Sequence, residues 1–246
     1  MTSPGGAAGT RTDPTGTPHP DPTWGPLYRA GAWSALLFVL LVLVPVVLVV
    51  VAPLPPTRGA ALLEYIAQHR VVYLTELVSF VGLAVPAMVV FAAVAVALKG
   101  VDQSIAAIGG LFGVASEVIA LALGSSPQSL HGGLVVLSNA YRAADATDRP
   151  ALASAAEALI AATNAVSWAG ILTAAAILLL SLPMRRASFF GPVLSTLGVL
   201  AGAAGIVSEA LRPVIGSGYM LYGLLLPIWF AIVGWKLLHV STARAS

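Results

Sequence analysis

The most constraining feature of this sequence is an apolar run over residues 30–52 that carries no charged side chain. A helix of about 20 residues is long enough to cross the roughly 30 Å hydrocarbon core of a bilayer. Five further segments pass the same length test: residues 71–98, 104–124, 160–182, 188–210 and 219–238. All six exceed the roughly 9–11 residues of a membrane β-strand. The sequence therefore predicts an all-α fold, a polytopic membrane bundle of six transmembrane helices.

The composition supports this class and excludes several others. Hydrophobic residues make up 58% of the chain and charged residues 9%, whereas soluble proteins are about 25% charged. The absence of cysteine excludes disulfides, thiolate metal sites and a cysteine nucleophile. Lys and Arg residues are scattered singly or in pairs, so no basic stripe for nucleic acid is present and no nucleic-acid partner is expected.

The chain divides into three zones by composition. Residues 1–26 are rich in Pro, Gly and Thr and predict a disordered cytoplasmic tail, residues 27–240 the transmembrane domain, and residues 241–246 a short C-terminal tail. A cleaved signal peptide is the alternative for the first apolar run. That run is longer than the roughly 7–15 residues of a signal core and follows a long polar segment, which favours a membrane span.

The loops give the orientation. With the N-terminus inside, seven basic residues fall on the inner side and five on the outer side. This bias is weak, but its direction follows the positive-inside rule, and the pair Arg185 and Arg186 beside a span end is its clearest element. We expect a multipass protein of a bacterial cytoplasmic (inner) membrane with both termini in the cytoplasm.

Two outer connections predict short interfacial helices. In residues 57–69, Leu62, Leu63 and Ile66 share one helical face, which is typical of a helix lying on the outer membrane surface. Residues 134–144 are also helical in pattern. Thr147 or Asp148 is then the expected N-cap of a helix that runs without interruption over residues 149–182, its first turns projecting above the outer leaflet.

Candidate functional residues are the ionisable side chains within the spans, because a charge in the hydrocarbon core costs at least a few kcal/mol. Glu76, Glu117, Glu157 and Glu209 all fall in the outer half of the membrane or at its rim. One interpretation is an outward-facing pocket for a small cation, a metal, or a cationic or amphipathic small molecule. The predicted ligand-binding residues of this pocket are Glu117, Glu76, Glu209, Asn164 and Arg212, with Ser116 and Ser208 nearby.

The other interpretation is structural. Glu209 would pair with Arg212 three residues later, and Glu76 would reach water at the boundary. For Glu157 this interpretation is favoured, because its turn lies outside the core. For Glu117 a buried role is favoured, although a protonated carboxyl hydrogen-bonded inside the bundle needs no ligand.

No motif indicates a cofactor, a metal or a catalytic group. The four histidines do not form a compact ligand motif with Glu or with one another, so no metal site is predicted. GxSxG, GxGxxG and phosphate-loop patterns are absent, and no cofactor is expected. Tyr219 and Tyr222 are expected as boundary anchors or packing residues.

Small residues predict one close helix contact. Gly198 and Gly202 form a GxxxG motif that Gly205 extends, which allows another helix to approach closely. The partner helix belongs either to the same chain or to a second copy in a homo-oligomer. Prolines 45, 86 and 227 lie inside spans and are expected to produce simple bends.

Four segments carry a resemblance to a known family: LYRAGAWSALL, HRVVYLTELVSFVGLAVPAMVVFAAVAVAL, LSNAYRAADATDRPAL and PIWFAIVGWKLL. The pattern resembles the domain of unknown function (DUF) 4386 family of bacterial multipass proteins, over residues 27–239. The resemblance implies a six-helix membrane protein. It implies no established reaction and transfers no catalytic residue.

Three functions remain open from the sequence. The first is ligand binding or a transport-associated role at the glutamate pocket, in contact with membrane lipids. The second is an intramembrane enzyme that acts on a lipid or isoprenoid, with Glu117 and Glu76 as acid and base. The third is a non-catalytic membrane partner or regulatory subunit that acts through the glycine stripe. The apolar inner halves of the spans count against ion transport.

Overall fold

A computed structural model describes residues 19–48, 50–126, 130–215 and 219–242 of the chain, without the side chain of Met220. Most of the predicted N-terminal tail and the last four residues lie outside these ranges. Helices make up 82% of the structure, which confirms the all-α class. The final part of the predicted tail is ordered, because Asp21 accepts a hydrogen bond from the Thr23 N–H (3.0 Å) and thereby caps a 3₁₀ turn, Pro22–Trp24.

The described residues form eleven α-helices and one two-stranded hairpin in chain order. The elements are α1 (Gly25–Leu48), α2 (Gly59–Gln68), α3 (Arg70–Gly82), α4 (Ala84–Leu98), α5 (Gln103–Leu123), β1 (Ser125–Ser126), β2 (Leu130–His131), α6 (Gly132–Ala143), α7 (Arg149–Thr163), α8 (Trp168–Met184), α9 (Pro192–Ala210), α10 (Arg212–Ile215) and α11 (Tyr219–Thr242).

Six helical stretches of the described chain are long and apolar enough to cross a membrane, as predicted. They are Pro22–Leu48, Arg70–Leu98, Gln103–Leu123, Arg149–Met184, Pro192–Ala210 and Leu221–Thr242. Large apolar side chains such as Leu40, Leu111 and Val193 are exposed on their outer faces. In a bilayer these faces contact lipid, so the chain is an integral, multipass membrane protein.

The membrane-spanning helices form a closed ring in sequence order. Each packs against its successor, in the order α1, α4, α5, α8, α9 and α11, and α11 packs back against α1. Helix α4 also contacts α8 and α11 across the ring. The interior is therefore filled with side chains, and Phe91 and Phe230 pack there edge to face with their ring centroids 5.8 Å apart.

The second span is interrupted near its proline. Helix α3 ends at Gly82 and α4 begins at Ala84, two residues before Pro86. Because proline has no backbone N–H, the helix loses one hydrogen bond there and bends. Pro45 and Pro227, by contrast, lie inside the continuous helices α1 and α11.

Helices α2, α6 and α7 and the hairpin form a cap on the side of the bundle opposite the termini. A second apolar core holds the cap together, with Leu62, Leu63 and Ile66 of α2 buried in it. The predicted amphipathic helix is present, with the predicted residues on its apolar face. The expectation that this face lies on the membrane surface is wrong, because it packs against α6 and α7 of the same chain.

The expectation of one continuous helix over residues 149–182 is wrong. The chain leaves the helix after Thr163 and starts again at Trp168. Ser167 caps the new helix by accepting a hydrogen bond from the Gly170 N–H (3.1 Å), and Arg212 Nη1 donates to the Thr163 carbonyl (3.3 Å). In an unbroken helix that carbonyl would accept from the Ser167 N–H instead.

The predicted N-cap residue of α7 is in place, but the expected side-chain hydrogen bond is not made. Asp148 occupies the N-cap position, but neither it nor Thr147 caps the helix with its side chain. Asp145 Oδ1 accepts hydrogen bonds from the backbone N–H groups of Thr147 (2.9 Å) and Asp148 (3.1 Å). Pro150 lies in the first turn of α7, as predicted.

Candidate functional site

Two of the candidate glutamates, Glu117 and Glu209, pack against opposite sides of α8 near its start. This helix lies between α5, which carries Glu117, and α9, which carries Glu209. Thr173 Oγ1 donates a hydrogen bond to Glu117 Oε1 (3.2 Å), and the Glu209 carboxylate lies against Gly170. Because residues three apart in a helix are neighbours, one helical turn has a carboxyl group on each side.

Glu209 is a buried carboxylate with an ion-pair partner. It is 2% exposed, its Oε2 forms an ion pair with Arg212 Nη2, and its Oε1 accepts a hydrogen bond from the Tyr219 hydroxyl (2.7 Å). Arg212 Nη2 also donates to the Tyr219 oxygen (3.2 Å). The predicted pairing of Glu209 with Arg212 is confirmed, and Tyr219, expected only as an anchor or packing residue, closes the network.

Tyr219 precedes the apolar part of the sixth span, and its phenol remains protonated. Burial raises the pKa of Tyr219, and the nearby Glu209 carboxylate raises it further, while Arg212 partly opposes the shift. The hydroxyl is therefore a stable hydrogen-bond donor to Glu209 at neutral pH. With the proton of Tyr219 and the charge of Arg212, the network supplies both a donor and a counter-charge to the buried acid.

Glu117 has a different environment. It is 8% exposed, and its Oε1 lies 3.2 Å from the Thr173 hydroxyl and 3.4 Å from the Ser116 hydroxyl. Each hydroxyl has one proton and a backbone carbonyl as its other acceptor, at 3.1 Å for Thr173 and 2.7 Å for Ser116, so Thr173 is the better donor to Glu117. Within the described residues, no cationic side chain forms an ion pair with it. Oε2 has no donor there and is not among the fully buried atoms that lack a partner. This oxygen therefore remains open to a proton, a water molecule or a ligand.

The start of α8 lies beside Glu209, and Tyr222 lies near both acids. The first turn of a helix carries partial positive charge from its unpaired N–H groups, and this charge stabilises the Glu209 carboxylate beside Gly170. Tyr222, which is 3% exposed, lies within electrostatic range of both acids. Its ring lies where a side chain at Gly205 would otherwise stand.

Glu76 lies apart from this site, under the cap. It is 6% exposed and lies near Tyr65 and Tyr73, whose hydroxyls bond to the carbonyl of Pro53 (2.8 Å) and to the backbone N–H of His131 (2.9 Å). Burial raises the pKa of Tyr65, and the Glu76 carboxylate adds to that shift. Among the described contacts, none joins Glu76 to Glu117 or Glu209.

Asn164 and Glu157 each lie at a helix end: Asn164 follows the last residue of α7, and Glu157 lies against the start of α2. Asn164 ends α7, where its backbone N–H donates to the Ile160 carbonyl (3.1 Å). The exposed Glu157 accepts a hydrogen bond at Oε1 from the Gly59 N–H (2.6 Å) and so satisfies the start of α2. A side chain at Gly59 would collide with the backbone of α7, so this close approach requires glycine.

Two cavities on the described surface differ from the predicted outward-facing pocket. On the described surface of the cap, a cavity of about 390 Å³ is lined by Glu64, Gln68, Tyr141, Arg142 and Arg149, among others. Another, of about 620 Å³, lies on the side of the termini. Glu76, Glu117 and Glu209 line neither cavity.

Metal binding has no support from the geometry of the described chain. Within residues 19–48, 50–126, 130–215 and 219–242, no three His, Asp or Glu side chains are grouped so that they could hold a metal ion. Of the two acids beside α8, Glu209 has Arg212 as its neighbouring cation, and Glu117 has no cationic partner among the described residues.

The glycine stripe on α9 is used inside one chain. A side chain at Gly202 would collide with α8 at Leu178 (2.7 Å), and one at Gly205 would collide with Tyr222 of α11 (2.5 Å). Gly198 likewise lies against Ser181 and Trp229. Of the two alternatives for the stripe, the structure has the intramolecular contact, and a homo-oligomer through Gly198 and Gly202 would require these helices to separate.

Sequence reasoning missed Gly170 and Thr173, which form the α8 surface of the site. The sequence feature that could have revealed them is Ser167, a good N-cap residue inside an apolar segment, which is followed by a glycine three positions later. Such a pattern is compatible with a helix start within the membrane. It does not reveal which helices pack beside that start.

Known proteins provide no further assignment. No protein-family model, no curated protein and no solved structure matches the chain. The resemblance to the DUF 4386 family therefore stays a prediction.

Proposed function

We propose that this integral membrane protein binds a small cation or a cationic amphipathic molecule at Glu117, in a binding or transport-associated role. The observation that carries the proposal is the state of the two Glu117 oxygens. Oε1 is contacted by the Thr173 hydroxyl (3.2 Å), with the Ser116 hydroxyl farther away (3.4 Å), while Oε2 has no donor from the described residues. One side of the carboxyl group is therefore fixed, and the other is available.

Energetics favours a positively charged occupant. An ionised carboxyl in a low-dielectric interior costs several kcal/mol unless a counter-charge or hydrogen bonds compensate. At Glu209 the compensation comes from Arg212, but at Glu117 only two hydroxyls are present. A bound cation would supply the missing counter-charge, and a proton would occupy the site in its absence.

The enzyme alternative has less support. Acid–base catalysis by Glu76 and Glu117 needs both carboxyl groups at one reacting bond. Glu76 lies near Tyr65 and Tyr73, and Glu117 lies near Ser116 and Thr173, with no described contact between the two sets. No observation favours a role as a regulatory partner over ligand binding.

The test is cation binding to the purified protein, with a matched pair of variants. Na⁺, K⁺ and tetraphenylphosphonium are titrated calorimetrically into wild type, Glu117→Gln and Glu157→Gln. Glutamine keeps the size and hydrogen bonding of the side chain but not its charge. We expect at least one cation to bind wild type and Glu157→Gln with equal affinity and to lose binding in Glu117→Gln. Equal binding by all three proteins would overturn the proposal.

We also propose that the protein lies in a bacterial cytoplasmic membrane with both termini inside, and that it belongs to the DUF 4386 family. The basic bias of the loops and the four resembling segments support these proposals. The chain has no cysteine, so Thr147→Cys on the cap and Ser188→Cys on the opposite side are unique labels. A membrane-impermeant maleimide should label Thr147→Cys in intact cells and Ser188→Cys only after lysis. The reverse pattern would invert the orientation.

A further inference from the structure

A cavity of about 620 Å³ lies on the side of the bundle that carries the termini. Three separate parts of the chain form it: the start of α1, the connection between α8 and α9, and the end of α11. They contribute Tyr28 and Arg29, Ser188 and Phe189, and His239, respectively. The volume lies within the roughly 300–1,000 Å³ of small-molecule sites.

The lining of this cavity is basic. Arg29, His19 and His239 contribute to it, and no acidic side chain of the described ranges does. Arg29 is exposed and has no ion-pair partner among the described residues. The acid nearest in sequence, Asp21, is held by Lys99 (3.3 Å) and by Thr23, whose hydrogen bonds lower the pKa of that carboxyl. The cavity is therefore suited to an anionic ligand.

The Tyr28 hydroxyl is a second, independent observation. Tyr28 is 1% exposed and lines the cavity, and its buried hydroxyl has no hydrogen-bond partner in the described structure. A buried phenol is normally hydrogen-bonded, and an unpaired one costs about 1–3 kcal/mol. An oxygen-rich group entering the cavity would provide an acceptor for it after a small side-chain adjustment.

The remaining walls are apolar and lie at the membrane boundary. Pro22, Pro26, Phe189 and Val240 provide them, where the first span begins and the sixth ends. The adjacent Trp235 is 56% exposed, and its ring packs against that of His239 at 4.7 Å between centroids. Tryptophan at this depth is typical of the headgroup region of a bilayer.

We propose that this cavity binds the phosphate group of an anionic membrane lipid. Arg29 provides the charge, the Tyr28 hydroxyl a hydrogen bond, and the apolar wall the contact for the start of the acyl chains. Basic pockets between membrane helices are suited to lipid phosphates. The site lies on the opposite side of the bundle from Glu117, so it does not depend on the function proposed above.

The experiment measures lipid retention by native mass spectrometry. Full-length wild type, Arg29→Gln, Tyr28→Phe and the control Arg58→Gln are extracted from nanodiscs of phosphatidylcholine mixed with phosphatidylglycerol. Arg58 is exposed on the opposite side of the membrane. We expect wild type and Arg58→Gln to retain phosphatidylglycerol preferentially. Arg29→Gln should lower that preference by about fivefold, the effect of one basic residue near an anionic surface.

Two further measurements distinguish the alternatives. Tyr28→Phe should lower retention without lowering thermal stability, because phenylalanine keeps the packing and removes only the unpaired hydroxyl. Inorganic phosphate alone should not displace the lipid. Displacement by millimolar phosphate would instead identify a soluble phosphate compound as the ligand and overturn the lipid proposal. Equal retention by Arg29→Gln and wild type, or equal losses in Arg29→Gln and Arg58→Gln, would also overturn it.

Discussion

Glu209 and Glu117 flank the same turn of α8, yet the protein compensates their burial in different ways. Glu209 has a cation, a phenol and a close glycine as neighbours, and the cation balances its charge. Glu117 has two hydroxyls near one oxygen and, among the described residues, no donor to the other. The comparison teaches that a buried acid in a membrane span is not by itself a functional site.

The distinction has a physical basis. A carboxylate whose charge is balanced by a cation within the fold is part of a stable network, and removing that cation costs about 3–5 kcal/mol of folding free energy. A carboxylate that is positioned but not neutralised depends on a proton or a ligand. Stability measurements should therefore respond to the Glu209 network, and binding measurements to Glu117.

The largest expected effect is that of Arg212→Ala. The substitution leaves Glu209 buried without its counter-charge and also removes the bond to the Thr163 carbonyl. We expect a loss of about 3–5 kcal/mol, or about 6–20 °C in the thermal midpoint measured in detergent. Arg149→Ala, at an exposed arginine of the cap, is the control. Equal midpoints for the two variants would remove the contrast between the two acids.

The second effect is that of Tyr219→Phe. This variant keeps the ring beneath the Arg212 guanidinium and removes only the hydroxyl that donates to Glu209. A lost hydrogen bond to a charged group should cost about 1.5–3 kcal/mol. Tyr141→Phe is the matched control, because Arg149 also lies over that ring (5.5 Å), but the Tyr141 hydroxyl has no hydrogen bond to the described residues. A loss of the same size in the control would contradict the role of Tyr219.

The third effect is that of Gly170→Ala, which tests the close packing of α8 against Glu209. In Gly170→Ala the new methyl group would collide with the carboxylate of Glu209, which Arg212 and Tyr219 hold in place. We expect a loss of about 1–3 kcal/mol by thermal unfolding. At Gly223 an added Cβ meets nothing within 4 Å, so Gly223→Ala should be close to neutral. If Gly170→Ala were equally neutral, the Glu209 network would be able to move aside.

The smallest expected effect on stability is that of Glu117→Gln. The amide oxygen can accept the same hydrogen bonds from Thr173 and Ser116, so we expect a change below about 1 kcal/mol. Glu209→Gln, which leaves Arg212 without its counter-charge, should cost more. The thermal midpoints of the two variants measure the comparison directly. A larger loss in Glu117→Gln would show that the Glu117 carboxylate takes part in an ion pair that stabilises the fold.

The sequence predicted much of the local structure and part of the site. Span positions follow from the lengths of apolar runs, and the pairing of Glu209 with Arg212 follows from a spacing of three residues on one helix. The break between α7 and α8 could not be predicted in this way. It depends on Arg212, which is distant in sequence and bonds to the Thr163 carbonyl.

The sequence by itself determined the membrane class, the six spans and the placement of the glutamates in the half of the spans opposite the termini, because these depend on local hydrophobicity and helix length. Only the tertiary structure decided the ring order of the helices, the intramolecular use of the glycine stripe and the separation of Glu76 from Glu117. It also decided which buried acid is neutralised. These properties depend on contacts between residues far apart in the chain, and the period of a helix does not specify its neighbours.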